Sequence, residues 1–286
     1  MIIRQKIRGK KKYFYLEHSI RKKNKIIKKE RYLGTEIPKE IDEIKAEFLK
    51  ELKVDLYKKF EKIRENFQDE WKRVPESARE KELEEISIAF TYNTNAIEGS
   101  TITLEEVREI IQENIAPNKP IRDIREAENH NKVFLDMLKH KEDLTIKLLL
   151  NWHQRIFGDS KPDISGKFRD YLVRIGSYIA PGWQDVEDLM NEFIKFIEKN
   201  KKMNPVELAG KGHYKFESIH PFGDGNGRIG RLLMNFILWN SGYPMIIIEY
   251  KNRASYYKAF PKGQEAFVDY FLRRYLSVHK KRYLKK

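Results

Sequence analysis

The sequence predicts a mainly α-helical protein with a small amount of β structure. Apolar residues recur at three- and four-residue steps through most of the chain after Pro38. β-branched and aromatic residues cluster instead in two short places, one near the N-terminus and one at 171–180. With 40% hydrophobic and 35% charged residues, the 286-residue chain has the composition of a folded globular protein rather than a disordered one.

Residues 1–36 are predicted to form a short, basic, β-rich segment. The run Tyr13–Leu16 is typical of a strand, and Lys23-Asn24 suits a turn. Two or three strands are expected here. Because so few strands are not stable alone, they should pack against another part of the chain.

A long linking helix is predicted at 37–76. One apolar stripe, from Ile41 to Trp71, recurs at helical spacing through this stretch, and Pro75 is expected to end the helix.

The region 77–286 is predicted to be a helical domain with one small hairpin. Thr103 is a good N-terminal cap with acidic residues in the turn that follows, and Asp143 is a second candidate cap. The hairpin is predicted at 171–180, with a turn at Gly176-Ser177. The predicted helical segments are 80–97, 103–113, 123–140, 143–157, 184–199, 204–217, 227–240 and 262–278.

The net charge of +14 is concentrated at the two ends of the chain. Residues 1–34 contain 13 Lys and Arg against 2 acidic residues, and residues 273–286 contain 7 Lys and Arg and no acidic residue. Such ends suit contacts with nucleic acid or another acidic partner, and they equally suit a solvated surface. Both interpretations stay open, although the sequence contains no helix-turn-helix or zinc-finger pattern, which argues against a nucleic-acid-binding module.

The densest chemical signal lies at 220–231, with the sequence HPFGDGNGRIGR. Its glycines allow a close approach of the backbone to a ligand, and the apolar run that follows indicates that the loop opens a helix. Free N–H groups and the positive dipole end at a helix start form an anion site. Arg228 and Arg231 are three residues apart, so they share one face of that helix and can bind two phosphates.

Two further side chains of this segment supply groups that phosphate chemistry needs. Asp224 is a carboxylate beside the predicted anion site, and Mg²⁺ is commonly bound by one or two carboxylates together with phosphate oxygens. His220 directly precedes the loop, where a neutral imidazole can take a proton from an attacking hydroxyl. Each residue type alone is common in structural roles, but together they predict a polyphosphate site with a general base.

The segment resembles the core motif of the Fic family, HPFx(D/E)GNGRxxR, and matches it at every fixed position. The flanking segments GHYKFESIHPF and RLLMNFILWNSGYP are also similar to that family, and the resemblance extends over 80–278. It implies a Fic-type helical domain at 77–286, with His220 as the general base and Asp224 as the ligand of Mg²⁺ or Mn²⁺. It implies that ATP and its phosphates are bound by Gly223, Gly225, Asn226, Gly227, Arg228 and Arg231.

The resemblance implies an autoinhibited protein adenylyltransferase, which transfers AMP from Mg-ATP to a Ser, Thr or Tyr hydroxyl of a target protein or of itself. The hydroxyl attacks the α-phosphorus in line and pyrophosphate leaves, so the enzyme acts chiefly by positioning and charge stabilisation. Three alternatives stay open. The same fold could remove AMP from a modified target, use another donor, or serve as a regulatory domain of a nucleic-acid-binding protein.

A second motif lies upstream at 94–99, with the sequence TNAIEG. It resembles the family's inhibitory pattern (S/T)xxxE(G/N), in which Glu98 pairs with Arg231 and takes the arginine that the γ-phosphate needs. The residues give a further reason to expect a partner for Glu98. A carboxylate in the last turn of a helix that ends at a glycine faces the negative end of the helix dipole. The inhibitory helix is expected at about 80–99.

The hairpin at 171–180 corresponds to the flap of the family, which holds a target segment by strand pairing. Since strand pairing uses the backbone, the flap's side chains do not identify the target. Tyr256, in the segment NRASYYKAF, lies where the family lines its adenine pocket with aromatic residues, so it is predicted to contact adenine. The target protein is expected to bind along Leu172, Val173, Arg174, Ile175 and Gly176.

The remaining expectations concern location and assembly. The sequence holds no apolar run of about 18 residues, so neither a transmembrane helix nor a membrane partner is expected. The basic N-terminus lacks the apolar core of a signal peptide, and the chain has no cysteine. A cytoplasmic location is therefore expected. Family members often form dimers, so a homodimer is a further candidate assembly.

Overall fold

A computed structural model of the chain describes residues 1–22, 25–176 and 178–284. Most of these residues are helical, and the strands form one three-stranded sheet and one two-stranded hairpin. This confirms the mainly α fold class that the sequence predicts. The chain divides into two compact units, Met1–Lys59 and Phe60–Lys286. The division into 1–36, 37–76 and 77–286 remains a prediction about domains.

The first unit contains an antiparallel sheet with the strand order β1-β2-β3. Its strands are β1 (Ile2–Arg8), β2 (Lys11–Lys22) and β3 (Lys25–Gly34). Gly9, between β1 and β2, has a φ of +62°, a left-handed conformation that glycine adopts without strain. The predicted turn at Lys23-Asn24 lies outside the described residues.

One face of this sheet packs against the start of α1 (Ile41–Arg73). Leu16 of β2 is fully buried, and Phe48 of α1 is 5% exposed. Arg31 of β3 forms an ion pair with Glu51 at 2.5 Å, and its guanidinium carbon lies 5.8 Å from the ring centroid of Phe48. The helix therefore supplies the apolar cover that a three-stranded sheet lacks by itself.

The helix α1 is the long helix that the apolar stripe predicts, and it ends before Pro75. Acidic residues occupy its first turn and basic residues its last, which is the arrangement that the helix dipole favours. The boundary between the two compact units falls inside this helix, between Lys59 and Phe60.

The second unit contains the remaining helices, and each predicted helical segment overlaps an observed one. After α1 these are α2 (Glu76–Ile97), α3 (Leu104–Arg108), α4 (Ile121–Lys139), α5 (Ile146–Phe157), α6 (Val186–Lys199), α7 (Pro205–Ile219), α8 (Asn226–Asn240), α9 (Arg253–Tyr257) and α10 (Gln264–Tyr283). The short α9 was not predicted, and the predicted segment 103–113 ends in a π-helical turn, Glu109–Glu113. Across the described ranges of the chain, no helix combines the length and the apolar character needed to traverse a lipid bilayer.

Two helix starts test the predicted caps. Thr103 caps α3 as predicted, because its hydroxyl accepts the N–H of Glu106 at 3.2 Å while that glutamate accepts the N–H of Thr103 at 2.8 Å. The predicted cap at Asp143 is wrong, because α5 begins later and is capped by Thr145. Asp143 instead forms an ion pair with Lys201 at 2.7 Å.

The helix α8 is the central helix of the second unit. Its side chains Ile229, Leu232, Leu233, Met234 and Leu238 are all 0% exposed. The helix α7 packs along it, and α2, α4 and α5 also contact it. The glycine-rich motif lies at the start of α8, so its position is fixed by the most buried helix of this unit.

The predicted hairpin lies between α5 and α6. It consists of β4 (Arg174–Ile175) and β5 (Tyr178–Ile179), which pair antiparallel. Gly176 has a φ of +60°, as a tight turn requires, and Ser177 lies outside the described residues. The paired strands are only two residues long, which leaves their backbone edges short.

Candidate functional site

The segment 220–231 forms a loop that opens a helix, as the sequence predicts. His220 ends α7 with a φ of +52°, a left-handed conformation that residues with a side chain rarely adopt. The side chain of Asn226 holds the loop closed, because its Oδ1 accepts the N–H of Phe222 and its Nδ2 donates to the carbonyl of the same residue, both at 2.9 Å. An unusual backbone held by such a clasp is common at functional sites.

Gly225 is required by both the backbone and the surroundings of the loop. It has a φ of +80°, and a Cβ added there would overlap the ring of Phe157. We expect Gly225→Ala to lower the free energy of unfolding by about 3 kcal/mol, about 1 from the left-handed backbone and the rest from overpacking. Urea unfolding followed by circular dichroism would measure the loss.

Gly176→Ala is the matched control for that experiment. Gly176 also has a positive φ, +60°, but no heavy atom lies within 4 Å of its Cβ position. Only the backbone cost, about 1 kcal/mol, is expected there. Equal losses at the two positions would contradict the argument that Phe157 excludes a side chain.

His220 lies in a setting that keeps it neutral. Its side chain is 17% exposed. Burial, together with the charge of Arg169, lowers the pKa of His220 to about 4, so the imidazole is unprotonated at neutral pH. Behind it, Oε2 of Glu217 lies 3.8 Å from the Nδ1 of His220. Burial raises the pKa of Glu217 to about 8, so this carboxyl is mostly protonated at pH 7 and adds little charge beside the histidine.

Arg169 ties His220 to the base of the hairpin. Its guanidinium donates from Nε to the carbonyl of His220 at 2.8 Å, from Nη1 to that of Tyr171 at 2.9 Å and from Nη2 to that of Pro181 at 2.7 Å. Tyr171 precedes β4 and Pro181 follows β5, so one buried arginine joins both ends of the hairpin to the histidine.

Arg231 is buried and bound by the last turns of α2. Its Nε donates to Oγ1 of Thr94 at 2.7 Å, and its Nη2 donates to the carbonyl of Thr94 at 3.0 Å and to Oε1 of Glu98 at 2.7 Å. Burial alone would lower the pKa of Arg231, but the charge and hydrogen bond of Glu98, together with the charges of Tyr256 and Glu217, outweigh it and raise the pKa. The first and fifth residues of the upstream motif therefore both bind this arginine.

A glycine cap fixes the position of Glu98. The N–H groups of Gly99 and Ser100 donate to carbonyls in the last turn of α2, at 3.1 and 3.0 Å, and Gly99 has a φ of +93°. The helix α2 thus ends at Ile97 with Glu98 as its C-cap, and Gly99 follows as the predicted C′ glycine. The carboxylate of Glu98 reaches the start of α8, where an added Cβ at Gly227 would overlap it.

Arg228 is held by groups from two other helices. Its Nη1 forms a short ion pair with Glu126 of α4 and donates to Oδ1 of Asn95 of α2 at 3.3 Å. Its guanidinium carbon also lies 4.3 Å from the ring centroid of Phe157. Both Arg228 and Glu126 are almost fully buried. A buried pair of this kind holds its geometry, because removing one partner leaves the other charge unpaired.

Asp224 lies at the open side of the loop, and its side chain is 47% exposed. Lys161 lies 2.7 Å from its Oδ2 and 3.1 Å from Oε1 of Glu126, so this lysine bridges two carboxylates. Desolvation alone would raise the pKa of Asp224, but the Lys161 hydrogen bond and nearby positive charges outweigh it and lower the pKa. His153 accepts the N–H of Gly166 at Nδ1 and donates from Nε2 to the carbonyl of Asp224, both at 2.9 Å, which fixes the loop backbone.

An ionised, half-exposed Asp224 fits a Mg²⁺ ion that is held mainly by phosphate oxygens and water. Among the described residues, no group of three or more His, Cys, Asp or Glu side chains is arranged to hold a metal by itself. Mg²⁺ in phosphate sites commonly has only one or two protein carboxylates. A single carboxylate of this kind can share Mg²⁺ with the phosphate oxygens of a nucleotide.

The residues of the predicted flap lie beside this loop, and all except the half-buried Val173 are exposed. Tyr178 is anchored, because its hydroxyl donates to the carbonyl of Ser218 at 2.8 Å. The apolar side chains Leu172, Ile175 and Ile179 are 52%, 42% and 53% exposed. A short hairpin with exposed apolar side chains is suited to pairing with another chain.

Tyr256 has a buried position rather than an open one. It is 2% exposed, and its hydroxyl lies 2.6 Å from Nε2 of His213. Its contact with adenine remains a prediction. Its neighbour Tyr257 is 47% exposed, and its hydroxyl donates to the carbonyl of Ile97 at 2.9 Å. Tyr257 is thus the accessible ring of the pair, beside the end of α2.

The structure brings the residues of 220–231 together with Glu98 and links them to the flap. Sequence reasoning missed several residues that hold this arrangement, because each is a single polar residue with no periodic or spacing signal. Thr94 and Asn95 lay inside the recognised motif, whereas the other missed residues lie outside every motif. The missed residues are Thr94, Asn95, Glu126, His153, Lys161 and Arg169.

Comparison with known proteins identifies the family to which part of this chain belongs. A family model, Fic/DOC family, matches residues 143–238. This chain carries a domain of the Fic/DOC family. It is 33% identical over 198 residues to a protein adenylyltransferase Fic of Nematostella vectensis, covering 67% of this chain and 46% of that protein. It is 36% identical over 193 residues to one of Drosophila ananassae, covering 64% and 38%. The chain therefore spans less than half the length of these curated relatives.

Solved structures share the fold of the Fic domain in this chain. Fic-1 from C. elegans has a TM-score of 0.71 at 26% identity, covering 85% of this chain and 75% of that one. A Fic family protein from Desulfovibrio desulfuricans G20 has a TM-score of 0.67 at 26% identity, covering 80% and 73%. These similarities confirm the Fic-type helical fold that the core motif implies.

Proposed function

We propose that the Fic domain of this chain is a protein adenylyltransferase that Glu98 holds in an inhibited state. The observation that carries the proposal is the 2.7 Å ion pair between Glu98 and the buried Arg231, beside a neutral His220. AMP is proposed as the transferred group because the matched relatives are named protein adenylyltransferases.

In the proposed reaction, Nε2 or Nδ1 of the neutral His220 takes the proton of a Ser, Thr or Tyr hydroxyl. The hydroxyl oxygen forms a bond to the α-phosphorus of ATP, the bond to the bridging oxygen breaks, and pyrophosphate leaves. N–H groups at the start of α8 would stabilise the charge that develops on the α-phosphate. Asp224 would hold Mg²⁺, which neutralises phosphate charge when bound.

The proposed inhibition arises because Glu98 and Thr94 already bind the guanidinium of Arg231. A guanidinium that donates to Glu98 and Thr94 has fewer N–H groups left for the γ-phosphate. The carboxylate of Glu98 also lies beside Gly227, at the helix start where the phosphates would bind, so it repels them. Activation therefore requires Glu98 to leave Arg231. Its 31% exposure at the end of a helix leaves room for that movement.

A target protein is proposed to bind at the flap. Its segment would pair with the short strands β4 and β5, and the exposed apolar side chains of the flap would cover it. Arg169 joins both ends of the flap to the carbonyl of His220, so it would set the distance between the bound hydroxyl and the general base.

The test is a comparison of two labels. Wild type and Glu98→Gly are incubated with Mg-ATP labelled at the α-phosphate in one arm and at the γ-phosphate in the other. Protein-bound label from the α-phosphate alone, stronger in Glu98→Gly, is the expected result. Label from the γ-phosphate would indicate phosphate transfer, and the absence of both in a variant that binds ATP would contradict the proposed activity.

Removal of AMP from a modified protein is the second candidate. The observation that favours it is the position of the Glu98 carboxylate, which lies beside the phosphate-binding helix start and can position a water molecule. The labelled Glu98→Gly product of the first experiment provides the substrate. Release of label by added wild type, but not by added Glu98→Gly, would assign this second activity to Glu98.

A further inference from the structure

The outer face of the N-terminal sheet is a surface that the proposed enzymatic function does not use. The strand register places Arg4 opposite Tyr15, Lys6 opposite Tyr13, and Tyr15 opposite Tyr32. Residues directly opposite each other in an antiparallel pair lie on the same face, so these five side chains share one face. The other face packs against α1, so we call this solvent-facing set the tyrosine face.

The three tyrosines form one aromatic patch. The ring centroid of Tyr32 lies 5.2 Å from that of Tyr15 and 6.3 Å from that of Tyr13. Tyr32 is 53% exposed, and the ammonium of Lys6 lies 4.4 Å from the ring centroid of Tyr15. The patch thus offers the exposed ring of Tyr32, with the half-buried rings of Tyr13 and Tyr15 and the ammonium of Lys6 beside it.

A cluster of uncompensated positive charge lies at one end of the tyrosine face. Four exposed basic residues, which we call the basic turn, surround the connection from β1 to β2: Arg8, Lys10, Lys11 and Lys12. In the part of the chain that the structure describes, none of these four residues forms an ion pair. Their charges are therefore available to a ligand.

The acidic residues of the sheet do not offset this charge. Glu17 is 4% exposed and lies 3.1 Å from Arg4 and 3.5 Å from Lys28. Glu30 is paired with Lys6 at 2.6 Å. Both acids of the first 34 residues are thus already neutralised, against 13 Lys and Arg in the same stretch. The surface is complementary to a polyanion.

We infer that the tyrosine face and the basic turn form a binding surface for single-stranded RNA. The basic turn would contact phosphates, and unstacked bases would stack on the tyrosine rings. A sheet face that carries aromatic residues is a common way to bind single-stranded RNA, because unpaired bases expose the flat surfaces that rings contact. In a duplex those surfaces are hidden, so the aromatic patch would have no partner.

The tyrosine rings favour single-stranded RNA over other polyanions as the ligand. An anionic membrane or an acidic protein would be attracted by the basic turn but would not need the aromatic patch. Binding of RNA should therefore depend on both features, whereas binding to a merely anionic partner should depend on charge alone.

The experiment uses the full chain and a fluorescent oligouridine RNA of about 16 nucleotides, the upper range of such sites. Fluorescence anisotropy is measured at several salt concentrations. Tyr32→Ala is expected to weaken binding about 10-fold, since stacking on one ring is lost. Replacing Lys10, Lys11 and Lys12 with Gln should reduce the slope of log K against log salt by about 2, because each phosphate contact contributes about 0.7.

Replacing Lys199, Lys201 and Lys202 with Gln is the matched control. These three exposed lysines lie around the end of α6, and their replacement changes the net charge by the same amount. The affinity and the salt slope should stay as in wild type. Equal losses in the two triple variants, or no effect of Tyr32→Ala, would overturn the inference. So would tighter binding to a duplex RNA or to phosphatidylserine vesicles than to the single strand.

This inference does not depend on the catalytic proposal. Tyr32 and the basic turn lie in the first compact unit, and the residues that bind ATP in the proposed reaction lie in the second. Failure of RNA binding would therefore not contradict the proposed AMP transfer, and failure of the labelling experiment would not contradict RNA binding.

Discussion

Replacing His220 with alanine is expected to lower kcat for AMP transfer by about 1,000-fold, which is within the range for loss of a general base. The imidazole is suited to this role because burial lowers the pKa of His220 to about 4 and leaves it unprotonated at neutral pH. The substitution should be made together with Glu98→Gly, so that the starting rate is measurable. Because His220 would act on the hydroxyl and not on the nucleotide, calorimetry should find nearly unchanged affinity for ATP.

The pH profile gives an independent check of the same role. Only the neutral imidazole can accept a proton, so kcat/KM should be lost as the pH falls through about 4. His220 itself should cause no loss between about pH 6 and pH 8. A half-buried histidine outside the motif, His140 at the end of α4, provides the control variant His140→Ala. An equal loss of rate in that variant, or loss of ATP binding in His220→Ala, would contradict the assignment.

The parts of the site that are local in sequence could be predicted. The loop and helix of 220–231 follow from glycines, two arginines and an apolar run within one short segment. The partner of Glu98 was predicted from its motif, and the 2.7 Å contact with Arg231 agrees with it. The glycine at position 99 marked the end of α2, because few residues other than glycine adopt its φ of +93°.

The supporting residues could not be predicted, because their roles arise only from tertiary packing. Glu126 lies on the polar pattern of α4 like any surface glutamate, yet it is 5% exposed and pairs with Arg228. Arg169 lies in a loop, where no periodicity indicates which direction a side chain takes. Asn226 was predicted to contact phosphate, but its side chain is occupied in closing the loop on Phe222. Its backbone N–H at the helix start is the group that supports the prediction.

The exact start of a helix could not be predicted from the sequence either, for the same reason. Asp143 and Thr145 are both good capping residues by type, and the choice between them depends on where α5 packs. Lys201 lies 2.7 Å from Asp143 and gives that carboxylate another partner. Tertiary contacts of this kind shift a boundary by a few residues without changing the existence of the helix.

Replacing Glu98 with glycine is expected to raise the rate of AMP transfer about 100-fold. Glu98 pairs with an arginine whose side chain is 2% exposed, and breaking such a pair changes the free energy by about 3 kcal/mol or more. Each 1.4 kcal/mol is a factor of ten, which gives a rise of at least two orders of magnitude if the γ-phosphate takes the freed guanidinium. The fold should survive, because Glu98 lies at the C-terminal end of α2, where glycine is well tolerated. Thr94 also keeps its two hydrogen bonds to Arg231.

Glu98→Gln separates the charge of this residue from its shape. The amide can still accept a hydrogen bond from Arg231 but carries no charge, so the rate should lie between those of wild type and Glu98→Gly. Glu113→Gly, at an exposed glutamate at the end of the π-helical turn, should leave the rate unchanged. A Glu98→Gly variant that binds ATP but labels no faster than wild type would contradict inhibition by this pair. An ordered rise from wild type through Gln to Gly would mean that both the charge of Glu98 and its hydrogen bond to Arg231 contribute to the inhibition.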